Sequence, residues 1–176
     1  MIKKIVILTL IFVPFLCQAQ VETIIQNDKN IKSLSDELNI PKEKLYFIAE
    51  ESKRPDNYEG EESFSSLINF IKGSKSIGCD KLDPNYEKLN CDLTEISKKQ
   101  INESFKGYNS FEGMIFKNVK TKKVFSFPDD KIIATLIYSS QLKGFVDYSN
   151  QIKSLDKLES AGVLTYFVIV QEYTEK

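Results

Sequence analysis

The sequence predicts an α+β protein in which N-terminal helices pack on an antiparallel sheet of about four strands. Apolar residues recur mostly at helical spacing before Gly107, whereas β-branched and aromatic runs dominate after Gly113. The second half reads in the order β-β-β-α-β, so its strands are largely separated from the helices of the first half. A chain of 176 residues with 41% hydrophobic composition is long enough to bury the core of one domain.

The chain begins with the pattern of a secretory signal peptide, and residues 20–176 are predicted to form a single α+β domain. Residues 1–4 are short and basic, residues 5–17 are mainly apolar, and Ala19 ends a small-residue cleavage site. The apolar run is shorter than the ~20 residues that span a bilayer. We therefore expect residues 1–19 to be removed, leaving a periplasmic or secreted protein with no membrane span.

Helical periodicity dominates the first half of the predicted domain. It extends from Val21 to Leu38, and Pro41 then ends that helix. Residues 44–49 fit either a second helix or a short buried strand, and their periodicity does not decide between the two. The next helix is indicated by an i, i+3, i+4, i+7 stripe that stops at Gly73. That stripe consists of Phe64, Leu67, Ile68 and Ile71.

One further helix and a hairpin follow. Asp92 and Glu95 fit a capping box, and the helix that they start is predicted to end at Gly107. Two short apolar runs at residues 114–116 and 124–127 then predict a β-hairpin.

The remaining elements are a strand, a helix and a second strand. Residues 132–138 are apolar on both faces, which is typical of a central strand. A helix is predicted from Leu142 to Leu158, with Phe145 on its apolar side. Residues 163–170 form the strongest strand pattern in the chain and are expected to lie beside residues 132–138.

Two cysteines remain after the leader, and they are predicted to form a disulfide. Cys79 and Cys91 are an even pair in a chain that is expected to be exported. The segment between them is polar and rich in turn residues, so a cross-link would restrict an otherwise loose loop. A redox-active pair is the alternative, although the CxxC spacing typical of such pairs is absent.

The composition excludes several chemistries. There is no histidine, which rules out Ser-His-Asp and Cys-His nucleophiles and HExxH zinc sites. There is no tryptophan for sugar stacking, and Arg54 is the single arginine. A net charge of −1 gives no reason to expect binding to nucleic acid or anionic lipid.

No cofactor, metal or catalytic residue is predicted. Oxygen-rich loops can hold calcium, but neither acidic loop of this chain has the spacing of an EF-hand. The first loop contains Asp56, Glu59, Glu61 and Glu62, and the second contains Asp80, Asp83, Glu87 and Asp92.

Lysines cluster in the connection of the predicted hairpin, and they are the candidate interaction residues. A basic tip of this kind suits an acidic protein or a glycan as partner. The alternative is a solvated turn that discourages pairing at the edge of the sheet. The four residues are Lys117, Lys120, Lys122 and Lys123.

These observations predict a small exported protein that is not an enzyme and that acts through a protein-binding or ligand-binding surface, as inhibitors and immunity proteins do. A small envelope enzyme that uses carboxylates, for example in glycan hydrolysis, is the first alternative. A degenerate thioredoxin-like domain is another, in which residues 44–49 form a strand and the CxxC pair is lost. A parallel β-α-β order would favour that alternative.

Export is tested by the mass of the protein recovered from its native host. We expect the chain to begin at Gln20, because cleavage after Ala19 fits the small-residue site. Large residues precede Cys17, which disfavours a lipoprotein leader. A chain that retains Met1, or a lipid on Cys17, would contradict the prediction.

Overall fold

A computed structural model of the chain describes residues 24–25, 28–52, 66–83, 85–86, 89–94, 96–105, 113–171 and 173–174. The predicted signal peptide and the acidic loop around Asp56 lie outside the described residues, as does Arg54.

The described residues form nine strands and three α-helices. The strands are β1 (Ile24–Ile25), β2 (Leu45–Ile48), β3 (Ile68–Lys72), β4 (Lys75–Gly78), β5 (Phe116–Asn118), β6 (Val124–Phe125), β7 (Ile133–Tyr138), β8 (Thr165–Val170) and β9 (Tyr173–Thr174). The helices are α1 (Asp28–Leu38), α2 (Lys98–Ser104) and α3 (Tyr148–Ser160). Short 3-10 turns precede β2, follow β4 and follow β7.

The main sheet has seven strands in the order β4-β3-β7-β8-β2-β5-β6. Strands β7, β8 and β2 are parallel neighbours, and the remaining pairs of this sheet are antiparallel. The predicted antiparallel sheet of about four strands is therefore wrong. Strand β2 comes from a segment that the spacing left undecided, and β3 comes from a segment that the spacing assigned to a helix. The parallel centre of the sheet joins segments that lie far apart in the chain.

The centre of the sheet is a β-α-β unit formed by β7, α3 and β8. The two strands pair in parallel along their whole length, from Ile133 opposite Thr165 to Tyr138 opposite Val170. A parallel pair needs a long crossover, which α3 provides. Strand β2 then adds to the other side of β8, with Leu45 opposite Val168. The predicted strands at residues 132–138 and 163–170 are confirmed as central neighbours.

Alternate residues of β8 enter two different apolar clusters, one on each face of the sheet. Tyr166, Val168 and Val170 belong to the larger cluster, which also contains buried side chains of all three α-helices. Phe167 and Ile169 belong to the smaller cluster, which contains no helical residue. The helices therefore pack on one face of the sheet, and both faces of its centre are buried.

Aromatic rings from β2, β5, β6 and β8, and from the segment just after β6, meet on the face of the sheet opposite the helices. The Phe167 ring lies 4.6 Å from that of Tyr46 and 5.0 Å from that of Phe125, measured between centroids. Phe127 lies 5.4 Å from Phe116 in an edge-to-face arrangement. Such contacts add to the free energy of burial by about 0.5–1.5 kcal/mol each.

The local predictions succeeded unevenly. The hairpin after Gly113 is confirmed as β5 and β6, and the segment left open at residues 44–49 contains strand β2. The helix predicted over Phe64–Ile71 is wrong from Ile68 onward, because β3 pairs there with both β4 and β7, and Phe64 lies outside the described residues. Helix α2 exists, but its capping box is formed by Ser97 and Gln100 rather than by Asp92 and Glu95, of which Glu95 lies outside the described residues.

In the described part of the chain, no helix is both long enough and apolar enough to cross a membrane.

The buried centre predicts a sharp difference between the interior of β8 and the exposed first residue of the same strand. Val168→Asp and Ile169→Asp each place a charge on a different buried face, and we expect each to lower the free energy of unfolding by about 3–5 kcal/mol. Thr165→Asp is the matched control, because Thr165 is exposed at the start of the same strand. Urea denaturation measures the three changes. Equal effects at all three positions would contradict the described sheet.

Candidate functional site

The lysines of the predicted tip are engaged in contacts within the protein. The Lys117 ammonium pairs with the Glu51 carboxylate, and Lys120 Nζ lies 2.9 Å from Glu43 Oε1. Each lysine lowers the pKa of its carboxyl partner, chiefly through the hydrogen bond that it donates. Both ion pairs connect the hairpin to the chain flanking β2.

Lys122 turns back onto the protein, and Lys123 is exposed. Lys122 Nζ donates to the Tyr173 hydroxyl at 2.7 Å and to the Val119 carbonyl at 2.9 Å. It also lies 5.2 Å from the centroid of the Phe47 ring. Three of the four predicted lysines are therefore used to dock the hairpin on its neighbours, with partners on both sides of β2 and in β9.

Asn118 fixes this turn, and the sequence analysis did not identify it. Its amide nitrogen donates to the carbonyls of Lys42, Glu43 and Leu45 at 3.0–3.2 Å. Its amide oxygen accepts from the backbone of Thr121 at 3.0 Å and also from the backbone of Lys120. A buried side chain with this many partners locks the turn of the hairpin to the start of β2.

The features that favour ligand or partner binding lie at the carboxyl end of the parallel strands. Strands β7, β8 and β2 all end there, because they are parallel. Ligands of open α/β sheets bind outside the carboxyl ends of parallel strands. The segment from Ser139 to Asp147, called here the β7–α3 loop, leaves this end and leads into α3.

Phe145 is the outstanding residue of the β7–α3 loop. Its side chain is 72% exposed, the most of any large apolar residue described. The sequence analysis placed it on the apolar side of a helix starting at Leu142, but α3 starts only at Tyr148. A 3-10 turn at Ser140–Leu142 precedes the helix, and in the segment between the two Phe145 is exposed while the adjacent Val146 is buried.

The β7–α3 loop is held at both ends. The Tyr148 hydroxyl accepts from the Ser139 amide at 3.0 Å and so closes the loop. The Asp147 carboxylate caps α3 by accepting from the Asn150 amide at 3.0 Å. Phe145 N–H donates to the Leu142 carbonyl at 2.9 Å. The exposed ring is therefore presented by an ordered backbone.

An ion pair attaches the same loop to α1. Lys143 Nζ lies 2.9 Å from Glu37 Oε2, and the Tyr138 hydroxyl donates to Glu37 Oε1 at 3.2 Å. The hydrogen bond with Glu37 is the main reason that the pKa of Lys143 is raised. Burial is the main reason that the pKa of Tyr138 is raised. Lys143 is therefore positively charged and Tyr138 neutral at neutral pH, and both side chains connect this part of the protein to α1.

The cysteines lie beside the start of α3. Cys79 and Cys91 are within disulfide bonding distance, with their Cα atoms 6.1 Å apart. The Gln151 amide donates to the Cys91 carbonyl at 3.3 Å, which ties the cysteine loop to the helix. Asp83, which the sequence analysis placed among the acids of this loop, is buried rather than exposed.

A second group of ionisable side chains connects α3 to the sheet. Lys44 Nζ pairs with Glu159 and lies 3.5 Å from the centroid of the Tyr166 ring. The Tyr166 hydroxyl donates to Asp156 Oδ1 at 2.6 Å. Burial, followed by the hydrogen bond to Asp156, raises the pKa of Tyr166 well above its ordinary value. This arrangement fixes α3 on β8 and leaves Tyr166 protonated.

No family model matches the chain, and no curated protein or solved structure is detectably similar to it.

The role of Asn118 is tested by removing only its donors. Asn118→Asp keeps the accepting oxygen but sets a carboxylate against the carbonyls it contacts, so we expect a loss of about 2–4 kcal/mol in unfolding free energy. Asn102→Asp is the control, since Asn102 is exposed on α2 and donates to a single carbonyl. Chemical denaturation compares the two. A loss at position 118 no larger than that at 102 would contradict the assigned role.

Proposed function

We propose that the protein is an exported, non-catalytic interaction protein that binds a protein partner through the β7–α3 loop, with Phe145 as the apolar anchor. The observation that carries the proposal is a highly exposed aromatic ring on a loop whose two ends are fixed. The export component rests on the signal-peptide pattern of residues 1–19. The cysteine pair is compatible with it, because disulfides persist in oxidising compartments.

The energetics of Phe145 favour a binding role. Leaving a phenylalanine in water forgoes about 1.5–3 kcal/mol that burial would provide. Few interface residues dominate binding energy, and desolvated aromatic side chains are prominent among them. Because the loop is already ordered by Tyr148 and Asp147, binding there costs little further conformational entropy.

The carboxylates offer less support for the alternative of glycan hydrolysis. A general acid for that reaction needs a raised pKa. Among the described carboxyl groups, each resolved shift is a lowering, at Glu43, Glu51 and Asp92. The cause in each case is chiefly a hydrogen bond from a lysine or threonine side chain.

Two features of the structure fit the thioredoxin-like alternative, and a third does not. The parallel order β7-α3-β8 and the strand β2 are both present, as that alternative requires. However, the cysteines follow β4 and lie outside the first turn of α3, whose cap is Asp147. A helix N-terminus is the environment that activates the thiols of catalytic redox pairs, so the position of this pair disfavours thioredoxin-type catalysis.

The lysine hairpin remains the second candidate surface for the same function. Its exposed Lys123 and the 58% exposed Val124 lie in the β5–β6 hairpin, which β8 and β2 separate from β7 and the β7–α3 loop. The two surfaces can therefore be tested against each other in one experiment.

Photo-crosslinking in the native host distinguishes the two surfaces. A photoreactive phenylalanine analogue placed at Phe145 should give a covalent adduct with a partner protein, visible as a mass shift on a denaturing gel. The same analogue at Val124 is the matched control, since Val124 is the other large exposed apolar residue described. We expect little or no adduct from position 124.

Adducts from position 124 alone would move the binding surface to the lysine hairpin. An absence of adducts at both positions would contradict the proposed interaction. Turnover of a glycan by the wild-type protein, lost on replacing a single carboxylate, would contradict its non-catalytic character.

A further inference from the structure

The cysteine loop contains three potential metal ligands in one buried cluster. The sulfurs of Cys79 and Cys91 and a carboxylate oxygen of Asp83 all lie within 4.8 Å of one another. All three residues are buried. While the two sulfurs form a disulfide, they are unavailable as metal ligands, and the pair serves only as a covalent cross-link of the loop.

We propose that reduction converts this cross-link into a zinc site whose protein ligands are the Cys79 and Cys91 thiolates and the Asp83 carboxylate. A dithiol reductant would supply two electrons and two protons, so that the S–S bond breaks, two thiols form and the reductant becomes a disulfide. Zinc then binds with loss of two thiol protons. Water would complete a tetrahedral site, as in other zinc centres with three protein ligands.

The geometry is close to what zinc requires. Bonds of about 2.3 Å to sulfur and about 2.0–2.2 Å to oxygen place tetrahedral ligand atoms roughly 3.3–3.8 Å apart. The three ligand atoms lie within 4.8 Å of one another, and the two sulfurs would have to separate from the bonded distance of about 2.0 Å to that ligand spacing once the S–S bond opens. Zinc accepts both thiolate and carboxylate ligands, whereas calcium and magnesium favour oxygen alone.

The ligand positions do not depend on the S–S bond alone. The Asp83 carboxylate accepts from the Asn85 amide at 2.8 Å and from the Asp92 amide at 2.7 Å. Cys79 N–H donates to Ser66 Oγ at 3.0 Å, and Gln151 holds the Cys91 carbonyl. None of these bonds involves sulfur. They orient the ligands as outer-shell contacts do in known metal sites.

Charge also favours a cation in the reduced cluster. Asp83 is buried, and no described lysine pairs with its carboxylate. Thiolate ligands beside it would add negative charge to a buried site, which is unfavourable without compensation. A divalent zinc ion neutralises most of that charge and removes the need for a lysine partner.

The test compares zinc binding by the oxidised and reduced forms of the same protein. The reduced form is prepared with a phosphine, which is then removed without oxygen, and zinc is titrated in competition with a chromophoric chelator. We expect one zinc ion per reduced chain and none in the oxidised chain. Cobalt substitution should add the thiolate-to-metal absorption that identifies sulfur ligands.

Matched variants identify the third ligand. Asp83→Asn should weaken zinc binding at least tenfold, whereas Asp92→Asn should leave it unchanged, because the Asp92 side chain is exposed and its hydrogen bonds within the described residues go to Thr94. The melting temperature of oxidised Asp83→Asn shows whether that variant folds. If it does not, Asp83→Glu, which keeps a carboxylate, should retain zinc and sulfur-to-cobalt absorption in the reduced form.

Several results would overturn the proposal. These are a reduced protein that binds less than one zinc ion, equal binding by the oxidised form, and affinity that is unchanged in folded Asp83→Asn. Loss of native circular dichroism on reduction, without recovery when zinc is added, would also contradict a preorganised site.

Discussion

The parallel pairing of β7 with β8 is the constraint on which the rest of this structure depends. Because the two strands run in the same direction, the chain between them must return along the sheet, and α3 does so on one face. Both strands are almost wholly buried, so each face needs a cover. The helices cover one face, and aromatic side chains of β2, β5 and β6 contribute to the other. The β7–α3 loop takes its position from the end of this central pair.

Elements whose sequence pattern is local were predictable, and long-range pairings were not. Strands β7 and β8 are continuous apolar runs, and the β5–β6 hairpin has a turn-rich connection, so the sequence alone indicated all of them. In β3, the residues from Ile68 to Ile71 are all buried, and their spacing also fits one side of a helix. Pairing with β7 and β4 decides in favour of a strand, and that information lies elsewhere in the chain. The antiparallel order was predicted although the strand–helix–strand pattern of residues 132–170 already indicated a parallel pair, whereas no local feature shows that β2 joins β8.

The candidate sites show the same limit at the level of single residues. The lysines of the hairpin were visible as a cluster, but their ion pairs with Glu43 and Glu51 depend on the position of β2. Asn118 resembles an ordinary turn residue in the sequence, and its six contacts appear only once the hairpin meets the chain before β2. The cysteine pair was predicted from its context, whereas the burial of Asp83 beside it was not.

Hydrogen exchange of the backbone amides tests the central position of the β7–β8 pair most directly. If both strands form the core on which other elements assemble, their amides should exchange slowest, and only through global unfolding. Amides of α2 and of the β5–β6 hairpin should exchange faster, through local opening. The account would be contradicted if β7 and β8 exchanged through a smaller opening while the β3–β4 hairpin or α1 remained protected.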